Sequence, residues 1–287
     1  MSKKIKMNDE DYPTTGHEWD GIREYDKPMP RWWLYTFYLC IIFSVGYMIA
    51  YPAIPLLKGA TPGVLGYSSR GEVSEHIAAV NAKNADIEAR LLATPLEEIG
   101  ADADLARFAT AGGAAVFLTY CAQCHGAGAQ GAKGYPNLQD DSWLWGGDIA
   151  AIEATIRHGI RNDTDEDARY SEMPKFGEIL EGAEIDALAN YILQVSSQEH
   201  DTVLATAGEP LFEENCAACH GETATGDREQ GAPNLTDALW LYGGDLETIT
   251  QSITNSRFGV MPAWQGRITE AQITQVTFYV HQLGGGE

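Results

Sequence analysis

A stretch of 26 residues without a charged side chain, residues 32–57, constrains this chain more than any other feature. It consists of WWLYTFYLCIIFSVGYMIAYPAIPLL, and about 20 apolar residues suffice for a helix to cross the hydrocarbon core of a bilayer. Tryptophan and tyrosine crowd both ends of the run, as in helices anchored at the two membrane interfaces. The sequence therefore predicts a transmembrane helix and its exit over residues 32–57, with Pro52 and Pro55 ending the helix.

A cleaved signal peptide is the alternative explanation of this run. A retained anchor is favoured, because 31 residues precede the run and no clean small-x-small cleavage site follows it. Six lysines and arginines precede the run, whereas Lys58 and Arg70 are the only ones between it and Lys83. Because basic residues stay on the cytoplasmic side, we expect residues 1–31 in the cytoplasm and the rest in the periplasm of a bacterial inner membrane.

Two sequence repeats follow the anchor. Each contains Cys-x-x-Cys-His-Gly, then Pro-Asn-Leu, then Trp-Leu-aromatic-Gly-Gly-Asp, and then Met-Pro. Each repeat closes with apolar residues at helical spacing, over 181–196 in the first and 269–284 in the second. A motif order of this length indicates duplication of one domain, and no strand-like alternation dominates, so a mainly α-helical fold is expected.

The Cys-x-x-Cys-His sequences begin at Cys121 and Cys216. This sequence is the attachment motif of c-type haem: two thiols three positions apart bind the two vinyl groups of one porphyrin, and the histidine binds the iron from below. A zinc site would need a second ligand pair near each motif, and a thioredoxin-like site would need a βαβ setting. Neither is present in the sequence, which therefore predicts two covalently attached haem c groups. Their predicted ligands are Cys121, Cys124 and His125 for the first haem and Cys216, Cys219 and His220 for the second.

The second axial ligand of each iron is predicted to be a methionine. Only two of the six methionines follow the anchor, and each precedes a proline once per repeat. Pairing within each repeat assigns Met173 to the first haem and Met261 to the second, which implies high reduction potentials. The first pairing stays open, because Met173 follows an acidic insertion and His158 is an alternative ligand. With both axial positions filled, the expected chemistry is outer-sphere electron transfer, with no catalytic residue belonging to the chain itself.

Other candidate residues have two interpretations each. His76, His200 and His281 are interpreted as solvated or packing residues, and Cys40 as a small buried apolar side chain in the membrane helix. A set of aromatic and basic residues either packs against haem and binds its propionates or forms ordinary core and surface. This set comprises Trp143, Trp145, Trp240, Tyr242, Arg157 and Arg257.

The resulting architecture is a mainly α-helical chain with one N-terminal transmembrane helix and two tandem cytochrome c-like helical domains. The predicted boundaries are 1–31 for the cytoplasmic segment, 32–57 for the membrane helix and its exit, 58–104 for a helical connector, 105–197 for the first domain, 198–207 for a linker and 208–287 for the second domain.

Charge limits the partners of this chain. The sequence carries 41 acidic and 19 basic residues, for a formal net charge of −22, and residues 1–31 hold only seven of the acids and six of the bases. This balance argues against nucleic acid, which requires a basic surface. It favours a basic protein partner that docks on the acidic region beyond the anchor.

The N-terminal segment carries a narrower signature. The sequence GHEWDGIREYDKPMPR at residues 16–31, directly before the membrane helix, resembles the CcoP/FixP family, the membrane-anchored dihaem cytochrome c subunits of cbb3-type cytochrome c oxidases. The segment KGATPGVLGYSSR after the helix and the two haem motifs extend the resemblance over essentially the whole chain.

The resemblance implies a place in a respiratory oxidase that pumps protons. Such subunits take electrons from a donor cytochrome c and pass them, through a monohaem cytochrome c subunit, toward the haem–copper subunit that reduces oxygen. The resemblance also implies that the haem ligands are the positions already named in this chain, including Met173 for the first haem and Met261 for the second. A free-standing membrane-tethered dihaem carrier and a dihaem peroxidase are the alternatives. The first leaves the 16–31 motif without a role, and the second needs one haem with an exchangeable ligand.

Overall fold

The computed structural model describes residues 12–287. The first eleven residues of the predicted cytoplasmic segment, with the bases and acids they contain, lie outside the described residues. The chain divides into two compact units, one ending at Lys83 and one running from Asn84 to Glu287. The described part is mainly helical, as the sequence predicts. Each unit is described by itself below.

The first unit contains the membrane-length helix. Helix α1, Arg31–Ala50, begins and ends one residue before the stretch Trp32–Tyr51, the part of the apolar run that precedes Pro52, and none of its residues is buried. Cys40 lies on this helix and is exposed in the chain by itself, and its interpretation as a small apolar side chain buried in the membrane stays a prediction. By length and composition, α1 is one of two helical stretches among residues 12–287 that could cross a membrane; the other, Ala103–His125, contains buried core residues.

Two small hairpins flank α1, and the sequence analysis did not foresee them. Strands β1, Thr14–Trp19, and β2, Ile22–Tyr25, pair antiparallel before the helix, and β3, Pro55–Leu56, pairs with β4, Gly59–Ala60, after it. The first turn is Asp20-Gly21, and both residues have positive φ. Asp-Gly is a strongly favoured pair for a two-residue hairpin turn, so a local signal for this hairpin was present.

Helix α2, Ser69–Ala93, leads from the first unit into the second and forms much of the helical connector expected over 58–104. The second unit continues with a 3₁₀ turn at Leu96–Ala101, α3 at Ala103–Val116, a π turn at Phe117–Cys121, α4 at Ala122–His125, α5 at Ile149–His158, a 3₁₀ turn at Phe176–Glu178, α6 at Gly182–Val195, α7 at Thr202–Asn215, α8 at Ala217–His220, α9 at Leu246–Asn255 and α10 at Glu270–His281.

Polar caps set the beginnings of these helices. Asp102, Asp148, Asp201 and Asp245 each accept backbone N–H bonds at the first turn of α3, α5, α7 and α9. Such caps satisfy donors that have no partner inside the helix. The linker expected over 198–207 is therefore shorter, because Asp201 starts α7 within it and residues 202–207 are helical.

The closing helices are exchanged between the repeats. Helix α10 of the second repeat packs on α3 and α5 of the first, and α6 of the first repeat packs on α7 and α9 of the second. We call the group of α3, α4, α5 and α10 lobe A, and the group of α6, α7, α8 and α9 lobe B. The predicted domains 105–197 and 208–287 hence do not close on their own final helices.

Close helix contacts explain why glycine occupies two positions in these crossings. A Cβ on Gly113 of α3 would lie 2.2 Å from the carbonyl oxygen of Gln275 in α10, and a Cβ on Gly208 of α7 would lie 2.2 Å from that of Ala187 in α6. No larger residue fits without moving a helix backbone. Each glycine lies eight residues before the first cysteine of its haem motif, so both repeats have glycine at the same place in the exchanged contact.

Candidate haem-binding sites

Each Cys-x-x-Cys-His sequence lies on a short helix at the end of a longer one. Cys121 ends the π turn after α3, and Cys216 caps α7 before α8. All four motif cysteines are free thiols. Burial raises the pKa of Cys121 and of Cys216 to about 11, so both thiols remain protonated and unreactive as metal ligands.

The two motif histidines are held in the same manner. Nδ1 of His125 lies 3.1 Å from the carbonyl oxygen of Pro136, and Nδ1 of His220 lies 3.0 Å from that of Pro233. Because a carbonyl only accepts, Nδ1 carries the proton and Nε2 keeps its lone pair. Burial lowers the pKa of both imidazoles and favours the neutral ring. A neutral imidazole oriented through its other nitrogen is the usual iron ligand.

The prolines of the repeated Pro-Asn-Leu sequence thus have a role that the sequence analysis did not assign. Their carbonyl groups fix the orientation of the motif histidines, at one position in each lobe. The repeated placement of Pro-Asn-Leu after each motif was the signal for such a role.

The structure places the two methionines differently from the prediction. Met261 packs against the apolar cluster of lobe A that contains Cys121 and Phe117. Met173 packs against the cluster of lobe B that contains Cys216 and Phe212. Each methionine therefore lies with the haem motif of the other repeat, and the within-repeat pairing expected from the sequence is not the one that the packing brings together.

Hydrogen bonds across the repeats hold both methionine segments. The backbone of Met261 pairs with that of Ile160, with N···O distances of 3.0 and 2.9 Å, and the Asn162 side chain donates to the Met261 carbonyl at 3.2 Å. The hydroxyl of Ser256 donates to the carbonyl of Met173. The methionine positions are consequently fixed by the same interface that exchanges the closing helices.

The remaining histidines have other partners. Nδ1 of His158 lies 3.2 Å from Asp165, and together with Asp167 they form a small polar cluster. His200 bonds to the carbonyl of Gln198, and His281 to that of Glu287. His76 lies exposed, 4.0 Å from Glu72.

The aromatic and basic candidates divide into two groups. Trp143 and Trp240 pack against the clusters that contain Cys121 and Cys216, in equivalent places of the two lobes. Arg157 forms ion pairs with Glu153 and Glu270 and therefore acts as a structural tie between α5 and α10. The other three lie at the contact between lobes: Trp145 beside Gly231, Tyr242 beside Gly134, and Arg257 over the Tyr242 ring.

Two functional candidates escaped the sequence analysis. Arg161 precedes the acidic insertion before Met173 and Arg169 lies within it, and both turn toward the Trp145 ring. The signal was weak, since a cation among acids is normally interpreted as a surface ion pair.

These features define a class of protein: a cytochrome c-type chain with a membrane-length N-terminal helix and two Cys-x-x-Cys-His sites. Comparisons agree along the whole chain. Family models match for the N-terminal domain of cytochrome oxidase-cbb3, FixP, at residues 12–58, for cytochrome c at 110–196 and for cbb3-type cytochrome c oxidase subunit III at 203–280.

Relatives give the particular family. The chain is 56% identical over 287 residues to the cbb3-type cytochrome c oxidase subunit CcoP of Cereibacter sphaeroides, with 99% of both chains covered. It is 51% identical to CcoP of Rhodobacter capsulatus over the full length of both chains, and 48% identical to FixP of Rhizobium etli over 95% of both. The chain belongs to the CcoP/FixP family, which confirms the resemblance carried by the N-terminal motif. Covalently bound haem c is accordingly its cofactor.

Proposed function

We propose that this chain is the dihaem electron-transfer subunit of a cbb3-type cytochrome c oxidase, with one haem c in each lobe. The observation that carries the proposal is the pair of equivalent sites, each with two free thiols and a neutral, oriented histidine beside an apolar cluster that contains one methionine. Haem c, when bound, supplies an iron that cycles between the ferric and ferrous states.

The ligand sets we propose are crossed. Cys121 and Cys124 attach one haem, whose iron is bound by His125 and Met261. Cys216 and Cys219 attach the other, whose iron is bound by His220 and Met173. The support is the packing of Met261 with the Cys121 cluster and of Met173 with the Cys216 cluster.

The protein side chains keep these sites ready for rapid electron transfer. The proline carbonyls hold the imidazole rings in one orientation, and the backbone bonds of Met261 and Ser256 hold the methionine segments. Rigid ligands limit the reorganisation that accompanies a change of iron charge. Buried Phe117 and Phe212 exclude water beneath the motifs.

We propose that the N-terminus faces the cytoplasm and that both lobes lie in the periplasm. Support comes from the six bases that precede the apolar run at residues 32–57 and the scarcity of bases directly after it. This topology puts the lobes on the side of the membrane where soluble donor cytochromes diffuse.

The proposed partners follow from charge and family. A basic donor cytochrome c would dock on the acidic lobes, since residues 32–287 hold 34 acids against 13 bases. The proposed acceptors are the monohaem cytochrome c subunit and, beyond it, the haem–copper subunit of the oxidase. Donor oxidation is therefore expected to slow as ionic strength rises.

A native gel of gently solubilised membranes tests the proposal. The gel is stained for covalent haem and for oxidase activity driven by reduced cytochrome c, and haem b is measured in each band. We expect the haem of this chain in a large band with haem b and oxidase activity. Migration alone, with the activity elsewhere, would instead indicate a free-standing tethered carrier.

A further inference from the structure

The two proposed iron ligands are held in place unequally, and Met261 is the more firmly held of the two. The N–H and the carbonyl of Met261 both bond to the backbone of Ile160, with N···O distances of 3.0 and 2.9 Å. A few residues further on, the N–H groups of Trp264 and Gln265 donate to the carbonyl of Arg157 at 3.2 and 3.1 Å. The backbone of the Met261 segment is therefore tied to the end of α5.

The Met173 segment of lobe B lacks this backbone connection. Within residues 12–287, no backbone group of residues 171–177 bonds to α9 or to the turn that follows it. Two side chains hold the segment instead: the Ser256 hydroxyl donates to the carbonyl of Met173, and Arg161 donates to the carbonyl of Ser171. Segments held by few hydrogen bonds open at a low free-energy cost, so the Met173 segment opens more easily than the Met261 segment.

Ser256 itself has a backbone conformation that favours glycine. It follows the last residue of α9 with a φ of 56°, and the equivalent residue of lobe A, Gly159, has a φ of 72°. Glycine adopts such angles without the steric cost that a side chain meets there. Serine at this place therefore carries backbone strain, and in the described part of the chain its hydroxyl makes one hydrogen bond, to Met173.

We propose that Ser256 is a positioning residue for Met173, and that Met173 is the methionine that an external ligand displaces first. The inference rests on the proposed haem sites, in which Met173 and Met261 bind the two irons. The Ser256 hydroxyl keeps the Met173 segment against the end of α9, as backbone bonds keep the Met261 segment against the end of α5. Displacement breaks the bond between the Met173 sulfur and iron and forms one to the entering ligand, and the iron keeps its oxidation state.

Imidazole, a neutral nitrogen ligand of iron, is the probe, and the full-length ferric holoprotein is the sample. The methionine–ferric charge-transfer band is followed as imidazole is added. We expect the band to be lost in two steps, of which the first belongs to the iron bound by Met173. Ser256→Gly should move the first step to an imidazole concentration about two- to tenfold lower, as for the loss of one hydrogen bond, and leave the second step unchanged.

Urea unfolding of the same proteins distinguishes a positioning role from a merely structural one. Glycine removes the hydroxyl but also relieves the positive φ, so Ser256→Gly should change the urea midpoint little while methionine is displaced more easily. Ser252→Ala is the matched control, because the Ser252 hydroxyl donates to the Thr248 carbonyl within α9, and both steps should stay in place.

A lobe A variant gives the opposite comparison. Asn162→Ala removes a side-chain donor from the Met261 carbonyl but leaves both backbone bonds to Ile160. It should therefore move the second imidazole step by less than Ser256→Gly moves the first.

Three results would overturn the inference and leave the proposed function intact: loss of the wild-type band in one step, a first step that Ser256→Gly does not move, or a shift of both steps together with the urea midpoint. Ser256→Ala removes the same bond and keeps the Cβ, so it decides the question where Ser256→Gly fails to accumulate. Fewer than two covalent haems per wild-type chain, or a wild-type protein without the methionine–ferric band, would contradict the proposed haem sites instead.

Discussion

Lobe B and lobe A contain equivalent elements, but the chain builds them differently. The elements of lobe B follow one another from Met173 to Asn255, so its methionine, closing helix, haem motif and α9 are continuous in sequence. Lobe A needs α3 to α5 and then α10, with the whole of lobe B between them. Lobe B therefore corresponds to a circularly permuted cytochrome domain, and lobe A to a domain with an insertion.

The contact between the lobes is nearly symmetric. Trp145 covers Gly231 of the other repeat, and Tyr242 at the equivalent position covers Gly134. Gly159 and Ser256 are also at equivalent positions, and both have positive φ. Gly159 lies against the carbonyl of Met261, and the Ser256 hydroxyl donates to the carbonyl of Met173. The two repeats therefore exchange their closing helices through equivalent contacts. The lobes differ in that the elements of lobe B are continuous in sequence and those of lobe A are not.

The largest expected effect comes from cutting the chain according to lobes or repeats. A fragment of residues 170–260 contains all of lobe B, whereas residues 208–287 contain the second repeat without α6. Loss of α6 removes Leu188, Ile192 and Leu193 from the core, at about 2–5 kcal/mol each, which exceeds the stability of a small domain. We expect only the first fragment to hold a methionine-ligated haem.

Absorption of the methionine–ferric charge-transfer band and thermal unfolding followed by circular dichroism measure this difference. The intact chain is the control. A folded, methionine-ligated haem in the 208–287 fragment, and none in the 170–260 fragment, would mean that each repeat closes on its own helix.

Glycine substitutions at the exchanged helix crossings have the next largest effect. Gly113→Ala and Gly208→Ala should each destabilise the protein by about 1–3 kcal/mol, because the added Cβ meets a helix backbone at 2.2 Å. Gly182→Ala is the matched control, since a Cβ there meets nothing within 4 Å. Urea unfolding measures the changes, and equal stabilities for Gly113→Ala and Gly182→Ala would argue against the α3–α10 contact.

The smallest expected effect comes from an ion pair in lobe A whose arginine is replaced by a threonine at the equivalent place in lobe B. Arg157 joins α5 to α10 through Glu270 at 2.8 Å, and lobe B has Thr254 at the equivalent place. Glu270→Gln should lower the free energy of unfolding by about 0.2–1 kcal/mol at low salt and by less at high salt. Thermal unfolding at two ionic strengths measures this effect; a loss that does not depend on salt would show that Glu270 acts through packing.

Sequence patterns predicted the local elements well. The apolar run placed α1 to within one residue, and the closing helices were expected at 181–196 and 269–284 and are found at Gly182–Val195 and Glu270–His281. These elements are encoded by spacing and caps inside the segment itself. The family was likewise predictable, because the motif before α1 is both long and local.

The exchange of α6 and α10 was not predictable from the same patterns. The two closing helices carry equivalent apolar faces, so hydrophobic spacing cannot distinguish which N-terminal helix each one covers. The available signal was the short connection between α6 and α7, residues 196–201, since helices joined by so few residues usually pack as antiparallel neighbours. The approach of Arg161 and Arg169 to the Trp145 ring also escaped prediction, because local spacing does not show which loop residues meet.

One measurement tests the crossed ligands most directly. In a chain with Cys216→Ala and Cys219→Ala, only the haem attached at Cys121 and Cys124 remains, and its methionine–ferric band and midpoint potential are recorded. We predict that Met261→His abolishes the band and lowers the potential, since histidine is the stronger ligand of ferric iron, while Met173→His changes neither. Loss of the band in Met173→His, with the band retained in Met261→His, would contradict the account.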